Sequence, residues 1–364
     1  MRFDFSQLFR TPAQPLAGVS FGTHHMRWVE LDGSAKGPWV LKNLGQERYA
    51  AGLLSEGMHI QDMNALAAAL QRLAAKSGSR TRRLALCLPA SAMMSRRVSM
   101  PWLRDEEAMR AQVEQESAQH IPYALDEIAL DWSAIGRVRA GRETEVLICA
   151  TKREIVEDFQ VLCEIAGFEP VVLADESQAL AQLVELARQR EQQWPAEAVL
   201  AYVHVSTNSV SHIYLIQHGL PLQHVRVQSG DLGLLDNMAR RYGCSVDEAS
   251  AMRSSGNFPN QYEVEVIKPF VQHLSRHLSQ ELRHTVQRYG LELSAVFLGG
   301  GAANLTRLKT HIAEQLSMPC NVLNPFADMA FAPDLKLPKA ELVSMALGCV
   351  TATGLALRRF DLPE

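Results

Sequence analysis

Two segments of this chain, one near the start of each half, share a single pattern at one constant offset. In the first, Gly18-Val19-Ser20-Phe21-Gly22-Thr23-His24-His25-Met26-Arg27-Trp28-Val29-Glu30-Leu31, an apolar run meets a small-residue turn and a second apolar run. Residues 202–213 repeat it in diluted form: Val19 aligns with Val203, Ser20 with His204 and Thr23 with Thr207. The pattern reads as a β-hairpin tip, and its recurrence as a duplicated domain. A tip of small residues lets consecutive backbone N–H groups point at an anion, so Gly18, Ser20, Gly22, Thr23, His24 and Arg27 in the first copy and His204, Ser206, Thr207 and Asn208 in the second are candidate phosphate contacts. A third segment, strand 294–298 followed by Gly299-Gly300-Gly301-Ala302 and a helix from near Asn304, lets backbone approach a flat ligand closely.

With 364 residues, 47% of them hydrophobic, the chain can bury two cores. A formal charge of −4 argues against nucleic acid as a general partner. The six cysteines show no C-x-x-C spacing, which suggests neither a zinc site nor a disulfide framework and fits a reducing compartment. Residues 1–14 interleave charges with Phe3, Phe5, Leu8 and Phe9 and read as neither a signal peptide nor a span; a frayed leader and an amphipathic surface segment are both open for 1–10. No later stretch is long and apolar enough to span a membrane.

Along the chain, strands alternate with helices. A helix is expected over 63–76, and a strand, helix, strand, strand block lies within 83–150. Further helices are expected at 152–166, 177–193, 262–289 and 342–359, with Ser245 and Glu248 spaced as a capping box. The expected division is a first half over 1–189 with an α+β insertion at about 83–150. The second half, 190–364, carries an insertion at about 227–291 and a C-terminal helix packed back on the core. The fold class is α/β, two duplicated domains with a cleft between them.

Four passages together carry a resemblance: the first loop through Val29-Glu30-Leu31; Val113-Glu114-Gln115-Glu116-Ser117-Ala118-Gln119-His120-Ile121-Pro122-Tyr123 with Asp126-Glu127 and Asp131-Trp132; Gly299-Gly300-Gly301-Ala302-Ala303-Asn304-Leu305; and Asn324-Pro325-Phe326 followed by Ala346-Leu347-Gly348 and Gly354-Leu355-Ala356-Leu357-Arg358. Their order and spacing make the chain, from about Leu16 to Arg359, resemble the PilM family, actin-like proteins of type IV pilus assembly that are similar in turn to the cell-division protein FtsA. The resemblance implies an actin-like fold (ASKHA, ribonuclease H-like) and ATP or ADP in the cleft, with Mg²⁺. It implies a partner as well: the cytosolic N-terminal peptide of a PilN-like inner-membrane protein, docked beside the first insertion. It places the chain at the cytoplasmic face of the inner membrane, with the pilus assembly ATPases as further partners.

The departures from that family bear on the chemistry. Ser20 and His204 stand where PilM-like proteins generally carry Asp, and neither supplies a carboxylate to hold Mg²⁺ and its waters. Ser206 replaces a glycine, Ser229 stands where a Gly-Gly pair is expected before Asp231, and Arg27 replaces a lysine. The expectation is a scaffold with weak or absent ATP hydrolysis and no catalytic residue. The rivals are a slow ATPase switch and the equivalent component of a type II secretion system.

Sharper readings of single residues compete with plainer ones. His24, His25 and His204 lack ligand spacing and read as turn residues, and His273, His277 and His284 as a helix stripe, so no metal site is expected. Glu114, Glu116 and Asp126 read as a solvated face or the rim of a partner groove, and Arg80, Arg82 and Arg83 as a solvated turn or a surface for acidic headgroups. Neither H-E-x-x-H nor G-x-x-x-x-G-K-[ST] occurs.

Overall fold

The computed structural model describes residues 14–22, 24–34, 37–50, 52–55, 57–135, 142–206, 210–230, 232–255, 258–327, 329–335, 337 and 339–360. The expectations for Thr23, Thr207, Asn208, Asp231 and residues 1–13 therefore lie outside the described residues.

The chain divides into two compact units, residues 1–176 with 330–335 and 355–364, and residues 177–329 with 336–354. In the first, β1 (Ala17–Phe21), β2 (His25–Gly33) and β3 (Trp39–Arg48) form an antiparallel meander. Helix α1 (Met63–Ser77) follows, started by the Asp62 carboxylate accepting from the Ala65 N–H and ended by Gly78 in the left-handed region. Its Leu66, Leu70 and Leu73 bury against Val19 and Trp28 of the sheet, with Phe159 and Leu162 of a later helix completing the core. Strand β4 (Arg83–Leu88) lies parallel to β1.

A subdomain then interrupts the unit: β5 (Met94–Pro101), α2 (Glu106–His120), β6 (Ile128–Ile135) and β7 (Glu143–Lys152), with the sheet ordered β5-β7-β6. Its own core joins Met109 and Val113 of α2 to Met100, Ile128, Val146 and Ile148. The insertion starts at β5 rather than near 83, because β4 belongs to the main sheet, paired on both sides. Helix α3 (Arg153–Ala166), stopped by left-handed Gly167, leads to β8 (Glu169–Asp175), parallel to β4. The short strand Ala330–Phe331 adds to β3, giving the order (330–331)-β3-β2-β1-β4-β8. The C-terminal stretch is fixed here too, Arg359 donating to the Leu31 carbonyl at 2.6 Å and to Asp32 at 3.2 Å.

Helix α4 (Glu176–Glu191) falls almost wholly in the second unit, so the division comes at 176/177 and not near 189. The reason is packing. An added Cβ on Gly354 would come 2.2 Å from the Ala179 carbonyl oxygen, so only glycine lets these two helices approach, and Asn321 bonds Glu191 at 3.1 Å. Strands β9 (Val199–His204), β10 (Ser211–Gln217) and β11 (Leu220–Val227) again form an antiparallel meander. Helices α5 (Leu232–Tyr242) and α6 (Val246–Ser255) come next, the latter opened by the expected reciprocal Ser245–Glu248 bonds. A π-helical turn over Glu263–Ile267 leads into α7 (Lys268–Arg288). After it come β12 (Leu293–Gly299), α8 (Leu308–Leu316) and β13 (Cys320–Val322), with sheet order β11-β10-β9-β12-β13. Order and strand senses repeat those of β3-β2-β1-β4-β8, which is the duplication expressed as topology. Leu274, Leu278 and Leu282 of α7 and Leu308 and Ile312 of α8 cover one face. The single helix expected over 342–359 is two, α9 (Lys339–Ala346) and α10 (Val350–Leu357), broken at Leu347-Gly348-Cys349.

Candidate functional site

Strands β9, β11 and β12 of the second unit all end on one side of its sheet, the side where ligands of open α/β sheets bind. Gly299 pairs with His204 across the β12–β9 ladder, the Val205 N–H donates to the Gly299 carbonyl at 2.8 Å, and the Ala302 N–H donates to the Val205 carbonyl at 3.1 Å. The glycine segment is thus laid flush against the base of the β9–β10 tip. Each glycine has its own reason. A Cβ on Gly299 would stand 2.2 Å from the Tyr202 hydroxyl oxygen, inside a ring with no exposure at all. Gly300 has φ +88°, and a Cβ there would meet the Val205 oxygen at 2.6 Å and His204 Nε2 at 3.0 Å. Gly301 is exposed. Asn304 does not cap the helix that follows: α8 starts at Leu308 behind Arg307, which is left-handed and offers no side-chain cap.

His204, at the last position of β9, therefore sits where the two loops meet, partly exposed, with its ring 6.4 Å from those of Tyr202 and His212. Below it, His212 Nδ1 lies 2.9 Å from His224 Nε2, and His224 stacks on Tyr214 at 4.7 Å. Burial first, then His212 and Arg226, hold His224 down to about 4. It is neutral at pH 7, as one ring nitrogen must be if the contact is a hydrogen bond. Ser206 caps the tip's base, its N–H 3.4 Å from the Ser211 hydroxyl.

Beside this, from the end of β11, opens a cavity of about 800 Å³ whose lining includes Ser229, Gly230, Asp236, Arg240, Glu265 and Phe270. The π-helical turn supplies Glu265, which Arg241 engages at 2.6 and 3.1 Å. Sequence reasoning did not place these residues in a site. The one available signal was Ser229-Gly230 directly after an apolar strand; Asp236, Arg240 and Glu265 look like ordinary solvated helix positions until α5 and α7 are packed.

In the first unit the tip is tighter. The Gly22 N–H donates to the His25 carbonyl at 2.8 Å, the Tyr49 N–H to the His24 carbonyl at 3.0 Å, and the Tyr49 hydroxyl to the Gly22 carbonyl. Three carbonyls are thereby turned inward. Burial pushes the Tyr49 hydroxyl up to about 12, so it remains a donor. Arg27, beside Gly22, is braced by Gln46 at 3.1 Å. Burial, followed by Arg27, Arg48 and His24, pushes His25 down to about 4, which leaves it neutral at pH 7 beside two arginines. Gly18 and Ser20 do not belong to the turn. They lie inside β1, paired with Val29 and Arg27, Ser20 with 6% exposure. At the same end of this sheet the Ser95 hydroxyl of the insertion donates to the buried Asp175 carboxylate at 2.7 Å, joining β5 to β8.

Among the described residues no group of three or more His, Cys, Asp or Glu could hold a metal ion, and no helix is long and apolar enough to cross a membrane. His273 and His277 stand 6.4 Å apart, ring to ring, with no third ligand. Burial raises the thiols of Cys163 and Cys320 to about 12 and that of Cys87 well above the ordinary range, which leaves them protonated and inert. Glu114 and Asp126 are exposed and Glu116 partly so.

The sequence matches the model of the family described as type IV pilus assembly protein PilM over residues 18–360. The chain belongs to the PilM family. Among solved structures, a chain of the PilM–PilN type IV pilus biogenesis complex matches at 23% identity and a TM-score of 0.77, covering 97% of this chain and 100% of that one. The ethanolamine utilization protein EutJ from Carboxydothermus hydrogenoformans matches at 16% identity and a TM-score of 0.55, covering 95% of this chain and 90% of that one. The fold of this PilM-family chain is the actin-like one that its two equivalent sheets express.

Proposed function

We propose that this chain is a cytosolic scaffold of the type IV pilus inner-membrane assembly machine, one that holds ATP or ADP and receives the cytosolic N-terminal segment of a PilN-like membrane protein. The observation that carries the reading is the family match over residues 18–360. For the nucleotide, the support is the second unit's loop set. His204, Ser206, Thr207 and Asn208 would face phosphate, Gly299, Gly300 and Gly301 would meet the adenosine side, and Asn304 on the exposed turn beyond them would lie at its margin. The tip of the first unit, Gly22, Thr23, His24 and Arg27 backed by Gly18 and Ser20, would offer phosphate the Arg27 guanidinium. With Ser20 and His204 in place of carboxylates, Mg²⁺ would be held weakly. For the partner, the support is the likeness to a chain from a PilM–PilN complex, together with the insertion's sheet, whose β5 and β6 are open edges that an extended peptide can extend by backbone hydrogen bonds. Through that partner the chain would sit at the cytoplasmic face of the inner membrane.

The test is calorimetric titration of the purified full chain with ADP, ATP with and without Mg²⁺, and a synthetic N-terminal peptide of the PilN-like protein encoded beside it. Binding of nucleotide with little dependence on Mg²⁺, and of the peptide, is expected. Absence of peptide binding with nucleotide present would refute the partner, and absence of both nucleotides would refute the ligand.

A further inference from the structure

Helix α3 buries one side in the first unit's core through Ile155, Phe159, Leu162, Cys163 and Ala166, but its opposite side departs from the polar pattern usual for such a helix. Val161 and Ile165, one turn apart, keep 43% and 46% of their surface in solvent. They continue a stripe that starts at Glu154 and runs through Asp158 at helical spacing. The stripe reaches the insertion. Lys152 Nζ lies 3.3 Å from Glu154 and 5.8 Å from the centre of the Tyr123 ring, and Tyr123 and Leu125 are again exposed, at 41% and 39%. Carboxylates border this strip: Asp126, Glu127, Glu157 and Glu164 are exposed and Asp158 partly so, and none of them takes part in an ion pair among the described residues. The nearby cations are already engaged. Lys152 pairs with Glu154, Arg153 donates to the Asp126 and Ile128 carbonyls at 3.0 and 2.9 Å, Arg72 and Lys76 of α1 are held by Glu47, and Arg82, beyond the end of α3, rests over the Phe168 ring.

We propose that this strip, Tyr123 and Leu125 followed by the outer face of α3, docks a basic amphipathic helix of a partner protein. Exposed aliphatic side chains one turn apart form a ridge against which a second helix packs, and the unpaired carboxylates around them match lysines or arginines bordering the partner's apolar stripe. The partner is helical because a helix face has no free backbone N–H or C=O for a strand to pair with. This separates the surface from the open sheet edges proposed for the extended peptide. Charge decides against the other occupants. Anionic headgroups and nucleic acid phosphates would be repelled by the carboxylates, and two copies meeting through this face would set the same acids against each other.

The probe is a synthetic helical peptide with leucine on one face and lysine on the other, titrated with the full chain by fluorescence anisotropy beside a counterpart carrying glutamate in place of lysine. Binding of the lysine peptide alone is expected, and it should weaken as salt rises. Burying the exposed half of each aliphatic side chain contributes roughly three- to tenfold, so combined Val161→Ser and Ile165→Ser should weaken binding by about ten- to a hundredfold with the melting temperature unmoved. Combined Glu157→Gln and Glu164→Gln should weaken it by about three- to tenfold, and this variant decides the question if the Ser variant fails to fold. Glu106→Gln with Glu107→Gln removes the same charge from the start of α2, where no large apolar side chain is exposed among the described residues, and should leave binding unchanged. A loss there equal to the loss on α3 would show attraction to charge alone and overturn the proposal. So would absence of binding by the parent, equal binding of the glutamate peptide, undiminished binding by a folded α3 variant, or a parent dimer or attachment to phosphatidylglycerol vesicles that the Ser variant loses.

Discussion

Replacing Gly300 with alanine tests whether the glycine segment is shaped by the fold before any ligand is considered. Two costs arise. At φ +88° a Cβ is strained against its own backbone by about 1–2 kcal/mol. The same Cβ meets the Val205 oxygen at 2.6 Å and His204 Nε2 at 3.0 Å. The imidazole, partly exposed, can swing aside. The carbonyl cannot, because it accepts from the Ala302 N–H while the Val205 N–H is held by Gly299. Forcing such an overlap typically costs about 1–3 kcal/mol, so the sum is about 2–5 kcal/mol. For a unit of this size that lowers its melting transition by roughly 5–20 °C. Gly243→Ala separates the two costs. Gly243 has φ +63° with no atom within 4 Å of an added Cβ, so it should lose only the conformational part, about 1–2 kcal/mol. The assay is urea unfolding and calorimetry of the parent and both variants. If Gly300→Ala and Gly243→Ala melt together, the Val205 contact is not a constraint and the reasoning fails. If they separate as expected, loss of nucleotide binding in any Gly300 variant reports a displaced loop as much as a lost contact, and exposed Gly301 becomes the cleaner probe.

Gly299→Ala should cost about 2–4 kcal/mol, since Tyr202 is fully buried and its ring cannot retreat; Tyr202→Phe removes the oxygen at 2.2 Å but leaves ring carbons at 2.7 Å, so it should rescue only part of the loss in a double-mutant cycle. Gly354→Ala should be at least as severe, because the atom it meets is the Ala179 backbone, and a melting temperature equal to the parent's would exclude that close helix crossing. His25 and His224 are each held near 4 when folded and titrate near 6.5 when unfolded, so the unfolded chain binds more protons between those values. Stability should therefore be complete above about pH 6.5 and decline as pH falls toward 4, by up to about 3 kcal/mol from His224 and by less from half-exposed His25; an unchanged pH slope in His224→Gln would remove that residue as the source. Combining Ser20→Asp with His204→Asp should make ATP binding more dependent on Mg²⁺ in calorimetry, and no gain would show that neither position faces the phosphates.

The recurrent apolar–turn–apolar pattern was sufficient to read the two hairpins and their equivalence, because strand alternation and turn residues are local properties. Val19 and Val203 do occupy matching core positions on their two sheets. The α1 stripe, the Gly167 stop and the Ser245–Glu248 box were legible for the same reason: each is settled within about four residues. What escaped depends on residues far apart in the chain. Strand β4 belongs to the main sheet because β1 and β8 flank it, α4 joins the second unit because Gly354 admits Ala179, and Asn304 caps nothing because its segment is drawn onto Val205 before α8 begins. The need for glycine at 299 resides in Tyr202, a residue from another strand. Sequence periodicity reports which face of an element is apolar; which element that face meets is decided only when close packing leaves room for a single arrangement.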